Sequence, residues 1–579
     1  MQRRTISGFL AIFVLAIVPV LAFAQSSFDP GQLPKSTVFY LAWHGTPPVD
    51  ARKANSLLAL WDDADFAPVR AAMFAAMLGD SANSQKLQTP LTREELTQYA
   101  SLLDNEFVFG YIGNPNPAKA SVATSSSRAG AWNGNFFVYD RTGKEATLAK
   151  LLLRTRTSEK DAPKISTTTI AGISAMKVER TSGTSYWAED GKYAFMASEP
   201  AVLEQIATWT KHATPEAAAL GQTAAYREAG DLLKGGVVEF FFRFPGIREM
   251  TWDTSAGGFR LRPLLQSLKL ETVHAVAGHV ALEGARTRMQ TAILGETDPG
   301  TLFDMWDEGN LAPYSSNFIN SNTVSYHESQ INLLGIYALI KRAMQSTAGA
   351  GQSSPLDFIE TAAGSRLGMP LPEALGLFSG EFASLQTSAA LDPAKQIYFL
   401  GIRKKPETLK LLRAGLADRV ASERADGDAT FFKVSEGGIE SSAGTASWKY
   451  YYLAVTNDVI AISRRSESLR EALASRKSAT GANTLLPPTW QAARAQFPAK
   501  INGLSFVDFQ KVDWKAVKDR SSADAGKTST AKNAKPEARP AVENALKDLN
   551  PQLFPRHLHL GSGASWKDAQ GVHFDGWIE

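Results

Sequence analysis

The chain reads as an α+β protein: two tandem copies of a mostly antiparallel sheet unit, with helices packed on one face. Three observations predict this. Its 579 residues exceed the roughly 250–300 at which a single hydrophobic core stops growing. Its β-rich runs follow one another through tight turns, which implies hairpins and meanders rather than parallel crossovers. The same order of segments also occurs twice, and such self-similarity sets an architecture before any motif does. The first unit spans residues 31–298 and the second residues 299–579.

Before the first unit lies a targeting segment. Arg3 and Arg4 precede an apolar run from Phe9 to Ala24, which closes as Ala22-Phe23-Ala24 ahead of Gln25. That is the small-x-small pattern of signal-peptidase cleavage, so residues 1–24 are expected to be a signal peptide. The run is shorter than the ~20 residues needed to span a bilayer. The mature chain is therefore expected outside the cytoplasm, periplasmic or extracellular, with no stable transmembrane span. Lys+Arg 61 against Asp+Glu 58 gives a net charge of +3 with no basic arm in the folded part, which argues against a nucleic-acid partner. With no cysteine, disulfides, thiolate nucleophiles and cysteine–metal sites are excluded.

The repeated elements run in order. Thr37-Val38-Phe39-Tyr40 matches Thr323-Val324-Ser325-Tyr326 as an opening strand. Thr92 to Glu95 reads as a capping box, in which hydroxyl and carboxylate satisfy free amides at a helix start. Asn105-Glu106-Phe107 then leads into a strand, as does Gly380-Glu381-Phe382. Phe136 to Tyr139 corresponds to Ile397 to Leu400, each followed by a helix, the second with Pro406 suited to its first turn. Tyr186 to Glu189 turns at Asp190-Gly191, a two-residue signal that favours positive φ. Its counterpart is Tyr451 to Ala454, turning near Asn457-Asp458. Each hairpin runs into a helix, Val202 to Trp209 and Ser468 to Ala474. Val237 to Phe244 matches Gly503 to Val507. His274 and Gly278 match His557 and Gly561 at one offset, since 557−274 and 561−278 both equal 283. Ala120 to Ala129 and Thr347 to Ser354 read as loops. Ser521 to Pro540 has no large apolar residue to offset its ordering entropy and is expected to be disordered.

No motif in the chain carries recognisable chemistry. Gly172-Ile173-Ser174 begins a nucleophile elbow, but Met176 stands where the second glycine belongs. Ser174-x-x-Lys177 requires a helix to share a face, and Ile170 to Val178 reads as a strand that points the two apart. Among eight histidines, His327-Glu328 lacks the histidine a zincin needs four residues on, at Ile331. His274 and His279 diverge on a strand. His557 and His559, with His573 nearby, form the best ligand set, yet only His274 recurs in the first unit. Asp62-Asp63-Ala64-Asp65 lacks the glycine of a calcium loop and fits a helix end followed by an N-cap. Gly561-Ser562-Gly563 precedes no helix start and is no dinucleotide loop. No catalytic, cofactor-binding or metal residue is assigned, and no cofactor is implied. Trp43, Trp61, Phe240 to Phe244 and Leu333 to Ile340 are candidate hydrophobe-facing stretches, with burial in a core as the ordinary explanation.

The opening Leu33-Pro34-x-Ser36-Thr37, the Gly380-Glu381-Phe382 step and the late hairpin-plus-helix resemble exported bacterial proteins grouped only as a domain of unknown function. The resemblance implies an extracytoplasmic α+β protein and brings no catalytic residues. Together these features lead to the expectation of a non-catalytic binding or scaffolding protein of the cell envelope. A periplasmic lipid or hydrophobe carrier is the first alternative. A hydrolase whose site assembles only in three dimensions is the second.

Overall fold

The computed structural model describes residues 28–73, 93–113, 134–157, 163–180, 183–212, 214–244, 267–306, 314–347, 354–435, 450–476, 487–520, 544–545 and 548–579. The segments 1–24, 120–129, 348–353 and 521–540, and Thr92 of the capping box, lie outside these residues.

Runs rich in β-branched and aromatic residues form the strands, as their preference for a pleated surface dictates. In the N-terminal half these are β1 Thr37–Trp43, β2 Phe107–Ile112, β3 Asn135–Asp140, β4 Lys164–Ile170 and β5 Ile173–Arg180. They continue with β6 Gly183–Asp190, β7 Tyr193–Ala197, β8 Val238–Arg243, β9 Val273–Glu283 and β10 Arg286–Gly295. The C-terminal half holds β11 Ser325–Gln330, β12 Phe378–Gln386, β13 Ile397–Ile402, β14 Val420–Asp426 and β15 Ala429–Ser435. Its remainder is β16 Tyr450–Val455, β17 Val459–Ser463, β18 Gly503–Asp508, β19 Leu560–Asp568 and β20 Gly571–Ile578.

All twenty described strands belong to one sheet. The pairings give the order β4-β5-β6-β7-β3-β2-β1-β8-β9-β10-β20-β19-β18-β11-β12-β13-β17-β16-β15-β14, and every neighbouring pair is antiparallel. Followed from either edge inward, the two ten-strand halves have the same order. They meet where β10 pairs with β20 from Thr287↔Ile578 to Leu294↔Gly571.

Helices cover both faces, which corrects the expectation of helices on one face. On the back, Tyr40, Phe136, Val138 and Phe241 pack against Leu203, Ile206 and Trp209 of helix Pro200–Thr210 and Ala225 of helix Ala224–Ala229. In the C-terminal half, Leu469 of helix Ser466–Ser475 and Trp490 of helix Pro488–Arg494 cover Phe399, Leu504 and Phe506. On the front, Leu58 of helix Ser56–Asp62 packs on Trp43, Val238 and Val280. Leu148 of helix Glu145–Thr157 lies on Tyr139 and Ala194. Leu409 and Leu412 of helix Lys405–Leu416 lie on Ile402, Phe432 and Leu453. The reason is local: both alternating sets of strand positions carry large apolar side chains, so each face needs cover. No helix among the described residues is long and apolar enough to cross a membrane.

Register refines three expectations. Phe240 lies opposite Gly278 and Ser505 opposite Gly563, so Gly278 corresponds to Gly563 and the offset is 285, which takes His274 to His559 rather than His557. Ala188 and Ala454, each paired across its hairpin with Phe195 and Ala461, place Tyr186 with Tyr452. The turn after β6 is Gly191-Lys192, between the pair Asp190↔Tyr193. Only Gly191 has positive φ, +56°, the glycine-first form of a two-residue turn.

The two halves are bound by more than the ladder. On the back of β10 and β20, Arg288 donates to both carboxylate oxygens of Asp575, at 2.9 and 2.6 Å, and Gln290 donates to Asp575 at 3.2 Å. Arg286 pairs with Glu579 at 2.7 Å and lies 4.2 Å over the Trp577 ring. On the front, helix Ser56–Asp62, tied to its own half by Asn55 through Arg286 O and Thr287 Oγ1, packs Leu57 and Leu60 against Phe509 and Leu553 of the other half. The Asp575 side chain is only 4% exposed, so removing its partner leaves a buried, uncompensated carboxylate. Arg288→Ala is expected to destabilise the chain by about 3 kcal/mol, the low end for breaking a buried pair. Urea unfolding measures this. A double-mutant cycle with Asp575→Ala should return most of the loss, whereas additive effects would show that the pair contributes no coupling.

Candidate functional site

Polar groups are buried at corresponding places behind the two halves. In the N-terminal half, Tyr40 lies opposite Phe241 and Ala42 opposite Glu239. In the C-terminal half, Tyr326 lies opposite Phe506 and Glu328 opposite Leu504. Tyrosine and phenylalanine keep their strands, while the buried carboxylate moves to the neighbouring one. Burial pushes the Tyr40 hydroxyl well above its usual range, with Tyr226 and Glu239 adding to the rise. Tyr326 shifts the same way, through burial and then Glu328.

The C-terminal cluster is a closed network. Tyr326 donates to Glu328 in a short bond, and the Ser315 and Tyr326 hydroxyls meet at 2.8 Å. Glu381 accepts from the backbone amides of Tyr314 and Ser315, at 3.1 and 2.9 Å. Burial raises Glu381 despite those bonds, and it raises Glu328 to about 8. Near neutral pH Glu328 thus carries a proton, the state a general acid needs. With only 2% of the residue exposed, it reaches no substrate. The N-terminal counterpart is a buried His44–Glu239 pair with Nε2 3.5 Å from Oε1. His279 lies beside Glu239 in the register and bonds the Leu232 carbonyl through Nδ1 at 3.0 Å.

The front surface differs between halves at a block of five positions, while the second half exposes Phe382 and Tyr398 on the same face. Leu41 sits between Phe109 and Phe240, and Phe39 sits beside Phe242. The corresponding set is His327 between Ser384 and Ser505, and Ser325 beside Val507. Phe109 is 38% and Leu41 36% exposed, with Phe39, Phe240 and Phe242 half-buried. Phe39 and Phe109 meet edge-on at 5.5 Å, and the Phe240 ring occupies the space that a side chain at Gly278 would need. At the centre of the junction, Met289 and Phe574 are also exposed.

The residues singled out in the sequence are mostly scattered. Ser174 and Lys177 lie on β5 at positions of opposite parity, and Lys177 Nζ is engaged by Glu179 at 2.6 Å. His557 ends helix Leu553–His557 and meets Asp63 at 2.9 Å, while His573 stacks on Trp566 and meets Asp568 at 3.1 Å. His274 pairs with Glu228 at 2.8 Å. Asp63 caps the turn Ala64–Phe66, as the N-cap reading expects, and also binds Arg556 at 2.9 Å across the halves. The His557 hydrogen bond is the main cause that holds its carboxyl below the usual range. Among the described residues no group of three His, Asp or Glu side chains converges for a metal. Trp43 is core beneath Leu58, and Trp61 flanks the junction cluster around Leu57 and Leu553. Phe240 and Phe242 are the hydrophobe-facing candidates that do reach the open front. Comparison with protein-family models, curated proteins and solved structures finds no match.

The Glu328 shift has a testable sign. The folded state holds a proton that the unfolded chain, with its ordinary value of 4.5, releases. This group's stabilising contribution is complete below that pH and is lost as pH rises toward 8, by about 1.4 kcal/mol per pH unit. Glu328→Gln should remove that slope, read as urea midpoints at pH 5 and pH 8. Identical pH responses in both proteins would show that Glu328 does not titrate in this window.

Proposed function

We propose that the chain is a non-catalytic extracytoplasmic binding protein of the cell envelope, built by duplication of a ten-strand unit. Its ligand is a hydrophobe seated on the front of the first unit. One observation carries this reading: at corresponding front positions the first half has Phe39, Leu41, Phe109, Phe240 and Phe242, where the second has Ser325, His327, Ser384, Ser505 and Val507. Core positions such as Tyr40 and Tyr326, or Phe241 and Phe506, remain apolar or aromatic in both halves. A solvent-facing position gains no folding energy from an exposed apolar side chain, so the contiguous apolar block on the first half, where the second half exposes Phe382 and Tyr398 around a polar centre, favours binding over packing. Export is supported by the N-terminal Arg3 to Ala24 pattern.

An organic extract of the purified protein, analysed by mass spectrometry, should contain a hydrophobe. Phe109→Asp should lose it and weaken binding of N-phenyl-1-naphthylamine, with little change in thermal midpoint because the ring is partly exposed. An empty extract together with equal probe binding by both proteins would refute the reading.

A further inference from the structure

We infer that the ligand of this face is an anionic amphiphile, a long-chain carboxylate, whose head group is held by Lys269 and Arg342 at Gly300. The inference rests on the hydrophobe-binding reading and adds to it the charge and orientation of the ligand.

The cradle is defined by Gly300, whose φ is +84°. A Cβ at this position would lie 3.1 Å from Arg342 Nη1 and 3.3 Å from Lys269 Nζ. Two cations therefore converge on the open side of one glycine. Among the described residues neither side chain makes an ion pair or a hydrogen bond, and Arg342 Nε is buried without a partner. The carboxylate on the same turn, Asp304, is engaged by the Gly300 amide at 2.5 Å and pairs with neither cation. Lys269 itself has a left-handed backbone, φ +49°, a conformation that costs energy for a residue with a side chain. Like charges brought together beside an orphaned guanidinium nitrogen are unfavourable until an anion joins them. A lysine and an arginine offer a carboxylate both point charge and directed donors.

Apolar neighbours link the cradle to the aromatic row. Leu270, next to Lys269, and Leu302, two residues beyond Gly300, pack with Phe244 around Val273 and Phe303. Phe244 meets Phe242 at 5.3 Å, Phe242 lies beside Phe39, and Phe39 meets Phe109 at 5.5 Å. A row of apolar contacts thus leads from the front toward two unpaired cations, a lane that suits a single chain carrying one negative head. A neutral hydrophobe would leave the cations uncompensated, and a small anion would leave the lane empty.

Calorimetric titration of the full chain with submicellar oleate, oleyl alcohol and acetate tests this. Oleate should bind more tightly than oleyl alcohol, and acetate should bind far more weakly than either. Lys269→Glu and Arg342→Glu should each weaken oleate by roughly tenfold or more and leave oleyl alcohol unchanged, while Phe109→Asp should weaken both long-chain probes. Arg342→Gln serves if a charge-reversed variant does not fold. Equal binding of oleate and oleyl alcohol, no response of oleate to the cation variants, or acetate binding as tightly as oleate would each overturn the inference. If neither long-chain probe binds, the hydrophobe-binding reading fails with it.

Discussion

The arrangement of the molecule depends on the antiparallel pairing of β10 with β20. An open sheet has two free edges, and each unsatisfied edge invites association. Here one edge of each half is consumed by the other half. Within this ladder Gln290 pairs with Asp575, two residues that differ in number by 285, the same offset that relates Gly278 to Gly563. The pair therefore sits on the local two-fold relating the halves. An exact two-fold would bring identical side chains together there, and like charges so placed would repel. The chain instead carries an amide on one side and a carboxylate on the other, with Arg288 closing the carboxylate from its partner strand. The asymmetry of that contact fixes the register, because a slip by one residue would turn Asp575 toward the opposite face.

Joining the halves this way puts both fronts on one side of a continuous surface. The more apolar front of the first half and the more polar front of the second are then neighbours, separated by β9, β10, β20 and β19. The back cannot diverge as freely. Its side chains interdigitate with helices at the density of a crystal, and a change at Phe241 or Phe506 would propagate into the helix above it. Even the buried carboxylates obey this limit. Glu239 on β8 and Glu328 on β11 take opposite members of one corresponding cross-strand pair, Ala42–Glu239 in the first half and Glu328–Leu504 in the second, each close to a tyrosine.

Much of this order was legible in the sequence because it is local. Thr-Val-x-Tyr, the Glu-Phe step at β2 and β12, and the runs Phe136 to Tyr139 and Ile397 to Leu400 align in the register as they align in the chain. The terminal offset missed by two residues because matching His274 to His557 used identity of side chain, whereas pairing is decided by neighbours such as Phe240 and Ser505. The helices on the second face were missed because alternation seen in one strand does not say what the next element covers. The cationic cradle had no signal at all. Lys269, Gly300 and Arg342 are distant in sequence, match no motif, and meet only because the connection after β10 folds back onto β9 while helix Leu333–Thr347 lies alongside.

Buried polarity alone does not mark a ligand site in this protein. Glu328 and Glu381 are each only 2% exposed, yet each is answered from within, by a tyrosine hydroxyl or by backbone amides, the latter supplied by the short turn Tyr314–Phe318. A network satisfied internally specifies a core and has no capacity left for a partner. Lys269 and Arg342 present the opposite case. They lie where a carboxylate is present but directed elsewhere, one of them on a left-handed backbone, at the end of an apolar row that folding leaves partly uncovered. Unspent hydrogen-bonding capacity beside unspent apolar surface is what a preformed amphiphile site requires, and among the described residues the two features adjoin at Gly300.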